Sequence, residues 1–120
     1  MRTELVQARE NLRQKLIKNA YDVIREILAA DLNDIIEIGI FGSLAKDSFT
    51  CNSDSDIYLL FDKHLPDRII KGHLRSIAEE HNCDIVFIKS EDLTGDDVNL
   101  LAKNILENRI TLWRRADDKE

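Results

Sequence analysis

The apolar positions of this chain change period several times, and each change marks an element. Over residues 4–29, Leu5, Ala8, Leu12, Leu16, Ala20, Val23, Ile24 and Ile27 recur at three-, four- and seven-residue steps with strong helix formers between them, which predicts one long helix. The stripe is thin before Leu16, so the first three turns are expected to form a solvated end projecting beyond the core, with partner contact as the other reading. A turn cluster, Asp31-Leu32-Asn33-Asp34, leads into a near-continuous apolar run over residues 35–41, the mark of a buried central strand. Gly42-Ser43 opens a polar loop, and a second strand is predicted from Asp54 to Phe61. Pro66 suits the first turn of a helix over residues 67–81, in which Ile69, Ile70, Leu74, Ile77 and Ala78 share one face and which Asn82 can end. A third strand is predicted over residues 83–88. Ser90-Glu91-Asp92-Leu93 resembles a cap, and a last helix is expected from Asp96 to about Trp113, with Val98, Leu101, Ala102, Ile105 and Leu106 inward and a charged tail after it. Strands alternating with helices imply an α/β layer in a single domain, residues 1–120, made of an N-terminal helix (1–30) and a core (35–113).

Composition narrows the class. Apolar residues make up 43% and charged residues 33%, with one Pro and four Gly, which fits a globular, helix-rich chain and excludes a disordered one. No apolar run approaches a membrane span, and the first twenty residues carry Arg and Lys without the apolar segment of a signal peptide, so a cytoplasmic location is expected. Cys51 and Cys83 are too few and too scattered for a disulfide framework or a zinc site, and His64, His73 and His81 lack partners at ligand spacing. A net charge of −6 argues against general nucleic-acid binding, which rests on Lys and Arg neutralising phosphates. The charge is uneven: residues 1–30 carry six basic and four acidic side chains, whereas residues 79–97 carry seven acids and one Lys. Such a field attracts cations and suits a nucleotide that arrives as a metal complex.

The candidate chemistry lies between the first two strands. Asp54 and Asp56 stand two residues apart on a predicted strand, so they share one face with Cα atoms about 6.6 Å apart. Paired carboxylates repel and raise each other's pKa, a cost that a bound divalent cation removes. Hard cations of this kind take carboxylate oxygens together with substrate phosphates. Gly42 lets a phosphate approach the backbone N–H groups, and Ser43 adds a hydroxyl donor.

The spacing Gly42-Ser43, ten residues, Asp54-Ser55-Asp56, with Ile40-Phe41 before it and Ile57 after it, resembles the signature of the minimal nucleotidyltransferases. These are small members of the polymerase-β-like superfamily, many of them MntA-like antitoxins paired with HEPN-domain toxins. The resemblance implies an α+β fold with a small mixed sheet of three or more strands packed with helices, and a third carboxylate on a later strand, where Asp84 stands. It also implies two Mg²⁺ ions, or Mn²⁺, held by Asp54, Asp56 and Asp84, with Asp84 as general base or second-metal ligand. Gly42, Ser43 and Lys46 would then meet the phosphates of a nucleoside triphosphate, ATP in the first instance. Ser53 is grouped with them by position, although its place just before Asp54 suits a structural cap better than chemistry.

Where the family often reads Ala-Arg-Gly, this chain has Ala45-Lys46-Asp47. Lys46 keeps a positive charge without a bidentate fork, and Asp tolerates a positive φ better than most residues. With only one helix predicted after the third strand, the acceptor is expected from a partner surface. By resemblance that partner is a HEPN toxin whose tyrosine hydroxyl receives AMP, in a hetero-oligomer or alongside self-association. Two other readings stand beside this one: an antitoxin that blocks its partner by contact alone, and a stand-alone transferase acting on a small hydroxylated molecule.

Overall fold

The computed structural model describes residues 2–30, 32, 34–50, 53–94 and 99–115. Its strands are β1 (Ile35–Phe41), β2 (Ser55–Phe61), β3 (Cys83–Lys89) and β4 (Ile110–Arg114), and its helices α1 (Arg2–Ala29), α2 (Gly42–Ala45), α3 (Arg68–Glu80) and α4 (Leu100–Asn108). The strands form one mixed sheet in the order β3-β2-β1-β4, antiparallel at β2-β1 and β1-β4 and parallel at β2-β3. Successive residues of a strand point to opposite faces, and here both faces are used. Ile38, Ile40, Ile57, Leu59, Phe61 and Ile85 turn to the face covered by α1 and α3, where Leu16, Ala20, Val23, Ile27, Leu74 and Ala78 meet them. Phe41, Tyr58, Leu60 and Ile88 turn to the other face, against Ile105 of α4. Seventeen buried residues form the first cluster and five the second. At about 1.5–3 kcal/mol for each large apolar side chain removed from water, the first cluster carries most of the stability.

Local signals set the element ends. Asp67 caps α3 by accepting from the Ile70 N–H (2.9 Å), and Asn82 leaves that helix at φ 57°. Pro66 therefore precedes the cap and lies outside the helix, contrary to the sequence expectation. Asn99 caps α4 by accepting from the Ala102 N–H (2.8 Å). The expected start at Asp96, and Val98 with it, fall outside the described residues, and Ser90–Leu93 forms a separate 3₁₀ turn.

The expectation that the last helix runs to Trp113 is overturned. It ends at Asn108, and the chain returns as β4, pairing Ile110 with Ile40 and Trp113 with Ile38. Arg114 accordingly belongs to a strand, not to a tail. Ala102 and Ile105 are buried as expected, but Leu101 and Leu106 are exposed, because a nine-residue helix on one sheet face buries only a narrow stripe. Ile69, at the start of α3, is likewise exposed. Residues 3–11 of α1 all face solvent, so the first turns project as the thin stripe predicted. No helix among the described residues is long and apolar enough to cross a membrane.

Candidate functional site

At one end of the sheet, Asp56 and Asp84 stand side by side, as register partners on the parallel strands β2 and β3. Parallel neighbours lie about 4.8 Å apart, with side chains on the same face. Asp54 is exposed and precedes β2, which begins at Ser55 and not at Asp54 as expected. Ser55 sets the direction in which Asp56 turns. Its side chain is fully buried on the opposite face, where Oγ donates to the Leu16 carbonyl of α1 at 2.7 Å. Pegging Ser55 toward α1 directs Asp56, the next residue, to the other face.

The electrostatics agree with this convergence. Burial, then the charge of Asp84, then that of Asp54, push the Asp56 carboxyl above the usual aspartate range. Asp56 thus senses both neighbouring carboxylates, although the three are not drawn within 4.8 Å of one another. Three ligand atoms mutually within 4.8 Å occur, among the described residues, at Glu26, Glu80 and His81 instead. That group is solvent-facing and is already tied by the 2.6 Å contact of His81 Nε2 with Glu26 Oε2 between α1 and the end of α3. It contains none of the residues predicted for the site.

Gly42 closes the third side. It follows Phe41, the register partner of Asp56, and turns the chain from β1 into α2 at φ +72°. A Cβ on Gly42 would overlap Asp56 Oδ2, so only glycine brings this turn against the carboxylate. Ser43 is half-buried and its Oγ lies 3.5 Å from Ser53 Oγ. Ser53 in turn accepts from the Thr50 N–H at 2.8 Å, which is the capping role its position suggested. Lys46 is exposed at the C-terminal end of α2 and makes no ion pair among the described residues. Asp47 has a φ of 62°, the left-handed conformation usually met by Gly. The structure therefore brings together Gly42, Ser43, Ser53, Asp54, Asp56 and Asp84, with Lys46 at the rim. An all-oxygen set of three carboxylates, one of them destabilised by the other two, has the chemistry that a hard divalent cation requires.

Beneath the site lies a polar centre that sequence reading did not find. Glu37 is only 4% exposed, yet it accepts from the Tyr58 hydroxyl (2.6 Å), Thr111 Oγ1 (3.1 Å), Arg109 Nη1 (3.2 Å) and the Arg114 guanidinium (2.8 and 3.2 Å). Burial works to raise its pKa, but the Tyr58 and Arg114 hydrogen bonds and the Arg109 charge outweigh it and hold the carboxyl below the usual range. Burial and the bond to Glu37 push the Tyr58 hydroxyl up to about 12, so it remains a donor. A charged residue inside an apolar strand was the available signal, but its partners lie at the far end of the chain. On the α1 side of the site, Cys83 is buried, which pushes its thiol up to about 11 and leaves it inert near neutrality.

The family profile described as "Polymerase beta, Nucleotidyltransferase" matches residues 22–118. No curated protein is significantly similar in sequence. Among solved structures, a protein from Sulfolobus solfataricus assigned as a nucleotidyltransferase superposes with a TM-score of 0.61 at 19% identity, covering 89% of this chain and 87% of that one. A toxin–antitoxin crystal structure containing AMP-PNP matches with a TM-score of 0.56 at 22% identity, over 78% of this chain and 72% of that one. A mutant of the MntA-HpeT toxin–antitoxin matches with a TM-score of 0.53 at 20% identity, over 77% and 70%.

Proposed function

Because the chain belongs to the polymerase-β nucleotidyltransferase family, we propose that it transfers AMP from ATP to a hydroxyl group, in a reaction that depends on Mg²⁺ or Mn²⁺. The observation that carries this reading is the raised pKa of Asp56, caused in part by Asp84 and Asp54, at a glycine turn that only a bare backbone can make. Asp54, Asp56 and Asp84 are the residues to hold two divalent ions. Bound there, the ions would neutralise the triphosphate and stabilise both the attacking and the leaving oxygen.

The chain's own groups divide the rest of the work. Asp84, on the open edge strand β3, accepts the proton of the attacking hydroxyl. The hydroxyl oxygen bonds to the α-phosphorus, the bond from that phosphorus to the β-phosphate oxygen breaks, and pyrophosphate departs. The Gly42-Ser43 turn and Lys46 hold the β- and γ-phosphates as the charge moves onto them. Ser53 shapes the loop through the Thr50 N–H.

The acceptor is a tyrosine hydroxyl on a HEPN-type toxin, and the chain acts as its antitoxin in a cytoplasmic complex. Two features support this: structural neighbours include toxin–antitoxin complexes, and the Asp54 and Asp84 side chains are exposed. ATP labelled at the α-phosphate, incubated with Mg²⁺ and a HEPN partner, should label the partner, whereas γ-labelled ATP should not. Inhibition of the partner that survives Asp54→Asn together with Asp56→Asn would establish the contact-only antitoxin instead. Labelling of a small hydroxylated molecule without any partner would establish the stand-alone enzyme.

A further inference from the structure

The loop after the Gly42-Ser43 turn adopts an unfavourable conformation, and one side chain from the projecting end of α1 holds it there. Asp47 sits at φ 62°, a region that crowds any residue bearing a Cβ, although Asp suffers less than most. Two carbonyls that follow this strained φ, those of Asp47 and Phe49, point at Arg9. Its Nη1 donates to the Phe49 carbonyl at 3.1 Å and its Nη2 donates to the Asp47 carbonyl, with Asp47 Oδ1 at 3.6 Å from the same nitrogen. The guanidinium also lies over the Phe49 ring, 4.1 Å from its centroid, and Phe49 is itself buried in the main core. Residues 3–11 are all exposed, and among the described residues Arg9 is the one of them whose side chain hydrogen-bonds outside α1.

What Arg9 holds is continuous with the candidate nucleotide site. Between the two clamped carbonyls, the Ser48 N–H donates to the Ser43 carbonyl at 2.9 Å, and just before them the Lys46 N–H donates to the Gly42 carbonyl at 3.0 Å. Moving residues 47–49 therefore moves the acceptor of Ser43 and the base of Lys46. We propose that Arg9 is a positioning residue for nucleotide binding: its planar fork fixes the loop of residues 46–50, and through it the Gly42-Ser43 turn, in place of the glycine that would relax at position 47. This rests on the nucleotidyltransferase reading of the site. Two N–H donors in fixed geometry are needed to reach two carbonyls, so Lys at position 9 supplies the charge without the clamp.

A double-mutant cycle on the full chain tests this, using wild type, Arg9→Ala, Arg9→Lys, Asp47→Gly and Arg9→Ala/Asp47→Gly. Amide hydrogen exchange of residues 46–50 is read in the free protein, and MgATP affinity by titration calorimetry. Both single changes at Arg9 should speed exchange in the loop and weaken MgATP binding, each about ten-fold, with the amides of β1, β2 and β3 unchanged. Asp47→Gly should restore most of both losses in the Arg9→Ala background. Four results overturn the proposal: loop exchange indifferent to Arg9, full function in Arg9→Lys, an Arg9→Ala effect of equal size beside Asp47→Gly, or faster exchange spread through the whole sheet. Wild-type protein that binds no MgATP would sink the transferase reading instead, and loop exchange across the cycle would still decide whether Arg9 is the clamp.

Discussion

Asp56 shows how much a single residue can hold against its own stability. Burial and the neighbouring charges raise the pKa of its carboxyl, so the ionised form bears a cost in the folded state that it does not bear in the unfolded chain. That cost is present above the raised value and lessens as the pH falls through it, because the folded protein then takes up a proton that the unfolded chain would still release. Asp56→Asn should therefore stabilise the metal-free protein at pH 7. The same change should abolish the rise in melting temperature that Mg²⁺ gives the wild type, and paired thermal melts with and without Mg²⁺ check both. Asp54 and Asp56 were picked out by their two-residue spacing, Gly42 by its missing Cβ at the end of an apolar strand, and Asp84 by the resemblance to the minimal nucleotidyltransferases. Ser55 and Arg9 were not. Ser55 bonds to Leu16 and Arg9 to Asp47 and Phe49, contacts spanning 38 to 40 residues that no local pattern announces.

Among the elements, those whose apolar period stands apart from their neighbours could be read directly. α1, β1, β2, α3 and β3 fall within a few residues of where periodicity placed them. β4 was hidden because Ile110-Thr111-Leu112-Trp113 continues the helical spacing of α4 with neither Gly nor Pro between them. Pairing with β1 decides its conformation, and that pairing is non-local. Glu37 is what fastens β4: Arg109, Thr111 and Arg114 all reach it across the strand pair, and Tyr58 from β2 completes the set. Because the folded pKa of Glu37 is lowered, its contribution is fully present above the ordinary Glu range and is lost as the pH falls through the lowered value. Glu37→Gln should cost about 2–3 kcal/mol at pH 7, below the 3–5 kcal/mol for a fully buried pair because Arg114 is itself 66% exposed. Chemical denaturation at pH 7 and pH 3 should show the difference between the two proteins shrinking in acid. A constant difference would mean that packing, not charge, fastens β4.

For the molecule as a whole, the two sheet faces divide the labour. The face under α1 and α3 supplies the larger core, and the opposite face, against which α4 packs, carries Asp56 and Asp84 at one end. This division lets the fold keep three like charges near one another: the main core has no part in the conflict, which the proposed cation would offset. The most direct test is electron paramagnetic resonance of Mn²⁺ bound in the presence of α,β-methylene-ATP, which the transfer reaction cannot cleave. Wild-type protein should bind two Mn²⁺ ions per chain with the spectrum of a coupled pair, and Asp54→Asn/Asp56→Asn should bind neither at the same concentrations. Equal Mn²⁺ binding by the two proteins, or a wild type that takes up no ion beyond those carried by the free nucleotide, would contradict a metal-dependent transfer site at this end of the sheet.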